Sequence, residues 1–580
     1  MSINTVENRG KAGKEDECMK ALLGKAHSPE FWAEVREGET YRSLREQLLI
    51  RWEAEGKDEI PSLNYSAYRR FVFDGDRDTY EKPYFKRRRA LNTAAVLALI
   101  YPERQEYLVK LMDLIYAVCD EYTWCLPAHQ GQNERNDNTR VDLFASEMGL
   151  YMSVIYTLMG DRLDPVIRDR MVVEINRRII DTYLGCENYG WWEVGKTNWT
   201  AVCVGSVGCT MMLMRPDLMT EAMEARLLKA MQGFVDGFED DGVCTEGCGY
   251  WSYGVGFFVQ FADMIRTFTG GRVDYFKIPK MKAIATFPQK MFLSEQAAVS
   301  FADGNRELDY NFSVMHRLKS EYPDDVLIYS PDFGSFDGGC GRFIIRLMGA
   351  VWLVEDYYRN PADSTTEFEE YAANAQWLTK RTASYGFAAK AGHNAEMHNH
   401  NDVGSFILAR GGKQILSDVG AGAYTRQYFS EVRYDIFEPS SRSHSVPIID
   451  GLYQSVGREF GAKNVKYEKG SFSFDMSGAY NTDKLASLER SFKLYDDRIE
   501  LTDTYEFNEE CPVIERIVLT EEPTVDGNVI TTANSSITYD SSACELTVGG
   551  DYGTTSRKPY YYFLDFKLNA GAREFKVVIR

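Results

Sequence analysis

The sequence predicts an α+β chain of two domains or more, with a helical N-terminal part followed by a β-sandwich. Three observations predict it. The chain has 580 residues, whereas a single hydrophobic core stops growing near about 250–300 residues. From about residue 15 to 360 the apolar residues recur at helical spacing. After about residue 375 they alternate in short runs, as half-buried strands do.

The helical signal is clearest in RRALNTAAVLALIYPERQEYLVKLMDLIYAV (88–118) and LFASEMGLYMSVIYTLMG (143–160). Long amphipathic segments joined by short polar turns suggest paired helices, and many such pairs suit an (α/α) toroid around a central cleft; propensity alone fits a solenoid equally. The strand signal begins with SFILARGGKQILSDVG (405–420), where Gly411-Gly412 reads as a hairpin turn. It continues through SFKLYDDRIELTDTYEF (491–507), ITYD (537–540) and REFKVVIR (573–580). Regular spacing of such runs favours a sandwich. The polar stretch RNPADSTTEFEEY (359–371) marks the boundary, giving a helical domain at 1–370 and a sandwich at 371–580.

Composition bounds the function. A net charge of −20 argues against a nucleic-acid partner, which needs a basic face. An anionic sugar is not excluded, because charges are screened beyond about 8 Å at physiological salt and 66 basic residues can line a cleft. The N-terminus MSINTVENRGKAGKEDECMK has no apolar core of a signal peptide, and no run reaches the length of a membrane span. The chain as given therefore reads as cytoplasmic, or as secreted or periplasmic if a signal has been removed. Eleven scattered cysteines without CxxC pairs read as reduced thiols.

Four of the seven histidines, His393, His398, His400 and His444, fall in one short stretch. His398 and His400 in MHNHNDVGSF are two apart, so in an extended strand they share a face. Asp418 is expected on the returning strand of the next hairpin, with His444 soon after in SSRSHSVPIIDG. One of the pair can act on a substrate while its neighbour holds a metal, and two imidazoles with a carboxylate suit a zinc set with water as fourth ligand. Any one of these histidines read alone is a satisfied core or surface group.

In the helical half, YGWWEVGKTNWTAVCVGSVGCTMML (189–213) opens a helix near Asn198, where the dipole and free N–H groups favour an anion; the plainer reading is a helix cap. In DGVCTEGCGYWSYGVGFF (241–258), Tyr250 and Tyr253 share a helical face and can stack on sugar. Weaker signals are WCLPAHQ (124–130) with His129, RVDLFASE (140–147) and FADGNRE (301–307) with Arg306, all carrying polar residues on turns.

Taken together, the Asn-Trp helix, the EGxxYxxY segment and MHNHNDVGSF…SDVG…RSHSVPIIDG resemble the heparinase II/III family of bacterial polysaccharide lyases over roughly residues 90–455. The resemblance implies an incomplete (α/α) toroid followed by an antiparallel β-sandwich. It implies that Asn198 neutralises a uronate carboxylate, that Tyr250 acts as proton donor and base, and that His398 completes the site. It gives His400, Asp418 and His444 as ligands of a mainly structural zinc. His129, Trp199, Glu246, Tyr253, Arg306, Tyr428 and Arg433 become substrate contacts, Tyr253 doubling as the alternative catalytic tyrosine. Some members carry histidine at the position of Asn198, others Asn-His where this chain has Asn198-Trp199, so the polymer stays open among heparin or heparan sulfate, chondroitin, hyaluronan and alginate.

The expected chemistry is β-elimination giving an unsaturated uronate. A C5 proton is weakly acidic until the neighbouring carboxylate is neutralised, and donors aimed there act as an oxyanion hole. A tyrosine acting as base would need its pKa lowered, for which nearby histidine or arginine cations are the expected cause. No GxGxxG or P-loop is present, so no organic cofactor is expected, and the expected partners are an acidic sugar chain and, at most, a second copy in a homodimer. A glycoside hydrolase using Glu246, Asp142 or Asp303 and a non-catalytic binder of acidic carbohydrate are the rival readings.

Overall fold

In the computed structural model, which describes residues 19–130, 138–187, 189–307, 312–329 and 339–580, the apolar run at 88–118 becomes two packed helices. They are Asp78–Ile100 and Gln105–Cys119, and Pro102 keeps the chain between them from continuing as one. Their apolar faces are buried from Ala90 to Ile100 and from Tyr107 to Cys119. The run at 143–160 forms the helix Leu143–Met159, capped by Asp142, whose carboxylate accepts the Ala145 N–H at 2.7 Å.

The chain divides into two units. The first comprises Met1–Phe238, Ser252–Lys282 and Asn311–Pro361, the second Glu239–Trp251, Ala283–Tyr310 and Ala362–Arg580. The last crossing lies near the polar stretch that the sequence marks, but the chain also crosses earlier. Two excursions from the helical part therefore belong to the second unit. The helix Cys248–Phe268 begins in the second unit and continues in the first.

The first unit is helical. Besides the pair above, Leu143–Met159 packs on Asn198–Met214, which packs on Glu221–Val235, and Phe343–Trp352 packs on Phe312–Glu321 and on Asp78–Ile100. Adjacent helices running through the unit agree with the expected pairing. Small residues let two of them meet closely: a Cβ at Gly208 would lie 2.7 Å from the Phe261 ring. Charge inside this unit is paired, with Arg88 making two 2.6 Å bonds to the Glu121 carboxylate.

The second unit is a sandwich of two antiparallel sheets. One runs, edge to edge, through Lys463–Glu468, Ser471–Asp475, Leu485–Leu494, Ile499–Phe507, Glu574–Ile579, Ser536–Tyr539, Val529–Thr531 and Thr524–Asp526. The other orders Cys544–Tyr552, Tyr560–Leu568, Val513–Leu519, Lys413–Leu416, Phe406–Arg410, Gly386–Lys390, Trp377–Arg381 and Phe368–Ala372. Phe387, Phe406 and Leu408 from the second sheet share one core with Phe472, Phe492 and Leu501 from the first. Gly411 and Gly412 take φ of 51° and 74°, the left-handed pair of a two-residue hairpin, and Arg410 faces Lys413 across it.

No helix among the described residues is long and apolar enough to cross a membrane. No disulfide joins the described cysteines.

The sandwich core encloses an ion-pair network centred on Arg490. Arg490 bonds Asp503 at 2.9 and 2.5 Å, reaches Glu515 at 3.2 Å and donates to the carbonyls of Gly404 and Ser445. Removing one partner strands a buried charge. Asp503→Ala is therefore expected to destabilise the sandwich by about 3–5 kcal/mol, read as a lower denaturant midpoint.

Candidate active site

Within the second unit, three glycine-bearing turns bring the chemistry together. Gly247, of the EG segment, has φ 95°, and a Cβ there would come 3.2 Å from the Gly304 Cα; Gly420, of SDVG, has φ 70°, and its Cβ would come 2.3 Å from the Gly304 carbonyl oxygen. Only glycine permits both the backbone conformation and the approach. The turn between them, FADG, thus holds Asp303 beside the segments carrying Glu246 and Asp418. Ser300 Oγ fastens it by donating to the Asp418 carbonyl at 2.9 Å.

Asp303 is the hub. Its side chain is 0% exposed and accepts five donors. Oδ2 takes His398 Nδ1 at 2.7 Å and Tyr424 OH at 3.0 Å. Oδ1 takes Tyr428 OH at 2.6 Å, His400 Nε2 at 3.0 Å and Arg433 Nη2 at 3.1 Å. Arg433 also donates to the backbone carbonyls of His398, Asn399 and Tyr428, and lies over the Tyr428 ring. Tyr250, on the first turn of its helix, stacks on His398 with ring centroids 4.1 Å apart. Its hydroxyl meets that of Tyr424 at 2.6 Å. Because the Tyr424 proton goes to Asp303, Tyr250 is the donor in that pair. Glu246 Oε2 stands 3.6 Å from His398 Nε2, an ion-pair contact beyond hydrogen-bond range.

These contacts set the protonation states. Burial opposes the charged form of Asp303, yet hydrogen bonds from His398 and His400 and the Arg433 charge hold its carboxyl well below the ordinary range. Burial pushes the Glu246 carboxyl up, with Asp303 adding to the rise and His398 opposing it. Tyr250 departs from the sequence expectation. Burial raises its pKa, the Asp303 and Glu246 charges raise it further, and neither the Tyr424 bond nor Arg433 compensates. The resting group is a neutral phenol.

His400, Asp418 and His444, all buried, each offer a ligand atom within 4.8 Å of the others. The hydrogen bonds fix the tautomers. His444 Nε2 donates to the Glu438 carbonyl and His400 Nε2 to Asp303, each at 3.0 Å. His400 Nδ1 is left buried without a hydrogen-bond partner. His444 Nδ1 faces Asp418 Oδ2 at 3.0 Å, a pairing of a lone pair with a carboxylate that requires a proton or a cation. Such carboxylate- and carbonyl-oriented imidazoles suit a metal.

No protein-family model matches the sequence, and no curated protein matches it. Solved structures do. Heparinase III aligns over 99% of this chain and 90% of its own, with a TM-score of 0.62 and 13% identity. Heparan sulfate lyase HepC from Pedobacter heparinus covers 99% and 90%, at 0.57 and 14%. The Streptomyces coelicolor A3 chondroitin AC lyase, solved in complex with chondroitin sulphate, covers 97% and 82%, at 0.58 and 10%. The chain has a heparinase-like polysaccharide lyase fold.

Within that fold, two local expectations from the sequence need correction. His398 and His400 are not on a strand: His398 has φ 54° in an irregular segment, a conformation that costs a β-carbon residue about 1–3 kcal/mol. The two rings still converge, because both are drawn to the one Asp303 carboxylate. Asp418 lies two residues past the end of the strand Lys413–Leu416, where the chain has left the sheet for the Gly420 turn.

The remaining candidates have contacts of their own. Asn198 is in the first unit, buried at the first position of Asn198–Met214; the cap position belongs to Thr197, so Asn198 is not a cap. His129 Nδ1 donates to the Asp142 carboxylate at 2.6 Å, and its ring meets the Trp199 ring edge-on at 4.9 Å. Tyr253 hydrogen-bonds Glu147 under the Arg342 guanidinium, so it and Tyr250 have different partners despite their spacing. Arg306 lies over the Tyr561 ring and is not among the donors to Asp303. Tyr424, which links Tyr250 to Asp303, carries no signal in the sequence beyond its nearness to Tyr428.

The depressed Asp303 pKa makes a prediction with a definite sign. The folded state refuses a proton that the unfolded chain accepts below about pH 4, so stability falls as the pH drops from there toward the folded pKa. In Asp303→Asn the denaturant midpoint should be lower at neutral pH, and this part of its acid decline should be absent; an unchanged acid slope would count against the ionised hub.

Proposed function

We propose that the protein is a polysaccharide lyase that cleaves uronic-acid-containing sugar chains by β-elimination. Glycosaminoglycans of the heparin and heparan sulfate type are the foremost substrates, with chondroitin, hyaluronan and alginate as alternatives. The observation that carries this is the stacked Tyr250–His398 pair, its imidazole oriented by a buried carboxylate, on a fold shared with lyases of such polymers.

The pair divides the proton work. His398 donates its Nδ1–H in a hydrogen bond to the Asp303 carboxylate, which leaves the Nε2 lone pair as the base for the C5 proton, as a carboxylate orients histidine in other acid–base sites. Tyr250, kept protonated by burial, suits donation to the departing O4. Because abstraction places charge on the uronate carboxylate, a donor is needed there; Asn198, which the family resemblance assigns to this role, supplies an amide at a helix N-terminus. The hydrolase reading is weaker. Asp303 is enclosed by five donors and has no room to act on water or sugar, and Asp142 is engaged as a helix cap and by His129.

Tyr250→Phe removes only the ionisable oxygen. It is expected to lower the formation of unsaturated product, followed by ultraviolet absorbance on heparan sulfate, by about 10²–10⁴-fold, with an unchanged melting curve. Near-normal turnover would reject the assignment, and a saturated product would support a hydrolase.

The three-ligand cluster is proposed as a zinc site on the orphaned His400 Nδ1 and the donor set. When bound, the metal would brace the segment 398–444, with His400, Asp418 and His444 as ligands. Elemental analysis should find about one zinc per chain, and His444→Ala should lose it and melt at a lower temperature. A metal-free protein of full stability would exclude the site.

A further inference from the structure

We propose a second carbohydrate site, independent of the lyase reading, in the first unit: a tyrosine-lined cavity that binds a neutral pyranose ring. The cavity has a volume of about 600 Å³, inside the range of about 300–1,000 Å³ usual for small-molecule sites. Five tyrosines line it, Tyr65, Tyr68, Tyr80, Tyr116 and Tyr122, whereas its aliphatic lining is only Leu63 and Ala117. None of these residues belongs to the candidate active site.

The walls are preorganised. Tyr68 meets Tyr80 and Tyr122 edge-on at 5.5 and 5.8 Å, and Tyr68 and Tyr80 continue into a buried cluster with Tyr84 and Leu126. The rim is left to solvent: Tyr65 is 73%, Tyr122 51% and Tyr116 47% exposed. Scattered single aromatics on a surface are ordinary, but three exposed rings around one hollow on a rigid aromatic floor form a recognition surface. Tyrosine offers a flat apolar face and a hydroxyl that both donates and accepts, at little conformational cost.

That chemistry matches a sugar ring, which presents C–H bonds on its face and hydroxyls at its edge. A wholly apolar guest would desolvate the phenol hydroxyls and Asn64 without replacing their hydrogen bonds. Charge decides which sugar. The charged lining residues are Arg87, Glu121 and Asp120, and each is answered. Arg87 bonds Glu121 at 3.1 Å, Arg88 bonds it again at 2.6 Å, and Arg170 bonds Asp120 at 2.5 Å. Among the described lining residues no cation is left unpaired for a sulfate or carboxylate, so the fit is to an uncharged hexose or N-acetylhexosamine unit.

The test is isothermal titration of the full chain with N,N′-diacetylchitobiose, with a uronate-containing disaccharide and with p-cresol as comparison probes. Saturable binding of the neutral disaccharide is expected. It should weaken about tenfold or more in Tyr116→Ala and in Tyr65→Ala, while Tyr116→Phe, which keeps the ring, loses less. Tyr65 stands mostly in solvent, so its variant keeps the test sound if Tyr116→Ala is unstable. The proposal is overturned if the neutral sugar does not saturate, if both alanine variants bind it as the parent does, or if the charged disaccharide or p-cresol binds more tightly. Since the readout is binding, loss of lyase activity in other variants leaves this outcome unaffected.

Discussion

One buried carboxylate organises the candidate site. Asp303 accepts from two imidazoles, two phenols and a guanidinium. A carboxylate so far from water is tolerated only when every lone pair is answered, so the requirement to satisfy Asp303 fixes the positions of all five donors. These bonds orient His398 for its proposed chemistry and His400 for the proposed metal, and set Tyr424 to hold Tyr250. The same bonds that keep the charge stable set the tautomers on which both proposed roles depend.

The hub has a backbone counterpart. Ala302, directly before Asp303, has φ 58°, and His398 has φ 54°, conformations that side chains with a β-carbon adopt at a cost. Gly247, Gly304 and Gly420 let their three turns approach within van der Waals range. Strain at two positions and close approach at three are sustained by the hydrogen bonds to Asp303 and by Ser300. Ala302 and His398 thus place the strain next to, or on, the site's proposed functional groups.

How much of this is legible in the sequence follows from the range of the interactions. The helices and strands are written in local periodicity, and Gly411-Gly412 states its turn outright. The motif residues Tyr250, His398, His400, Asp418 and His444 stand out by type and spacing. Asp303 shows in FADGNRE as a polar turn and as one of three carboxylates open to a hydrolase, not as a hub, because what makes it a hub is partners more than 90 residues away along the chain. Tyr424 is invisible for the same reason, being one tyrosine among 36 until the fold sets it between Tyr250 and Asp303. The two excursions into the second unit are equally hidden: apolar spacing read as helical from about residue 15 to 360 says nothing about which core a segment joins.

The net charge of −20 looks unpromising for an anionic substrate, but the site's own carboxylates resolve this locally. Asp303 is ionised, and its charge is spent on Arg433 and the donors around it. Glu246 lies beside His398, and burial pushes its pKa up, toward the neutral acid. The two carboxylates are thus driven apart, Asp303 held below and Glu246 pushed above the ordinary carboxylate range. Repulsion of a uronate by the outer surface is screened by salt, and beside the groups proposed for the proton transfers the Asp303 charge is met by Arg433.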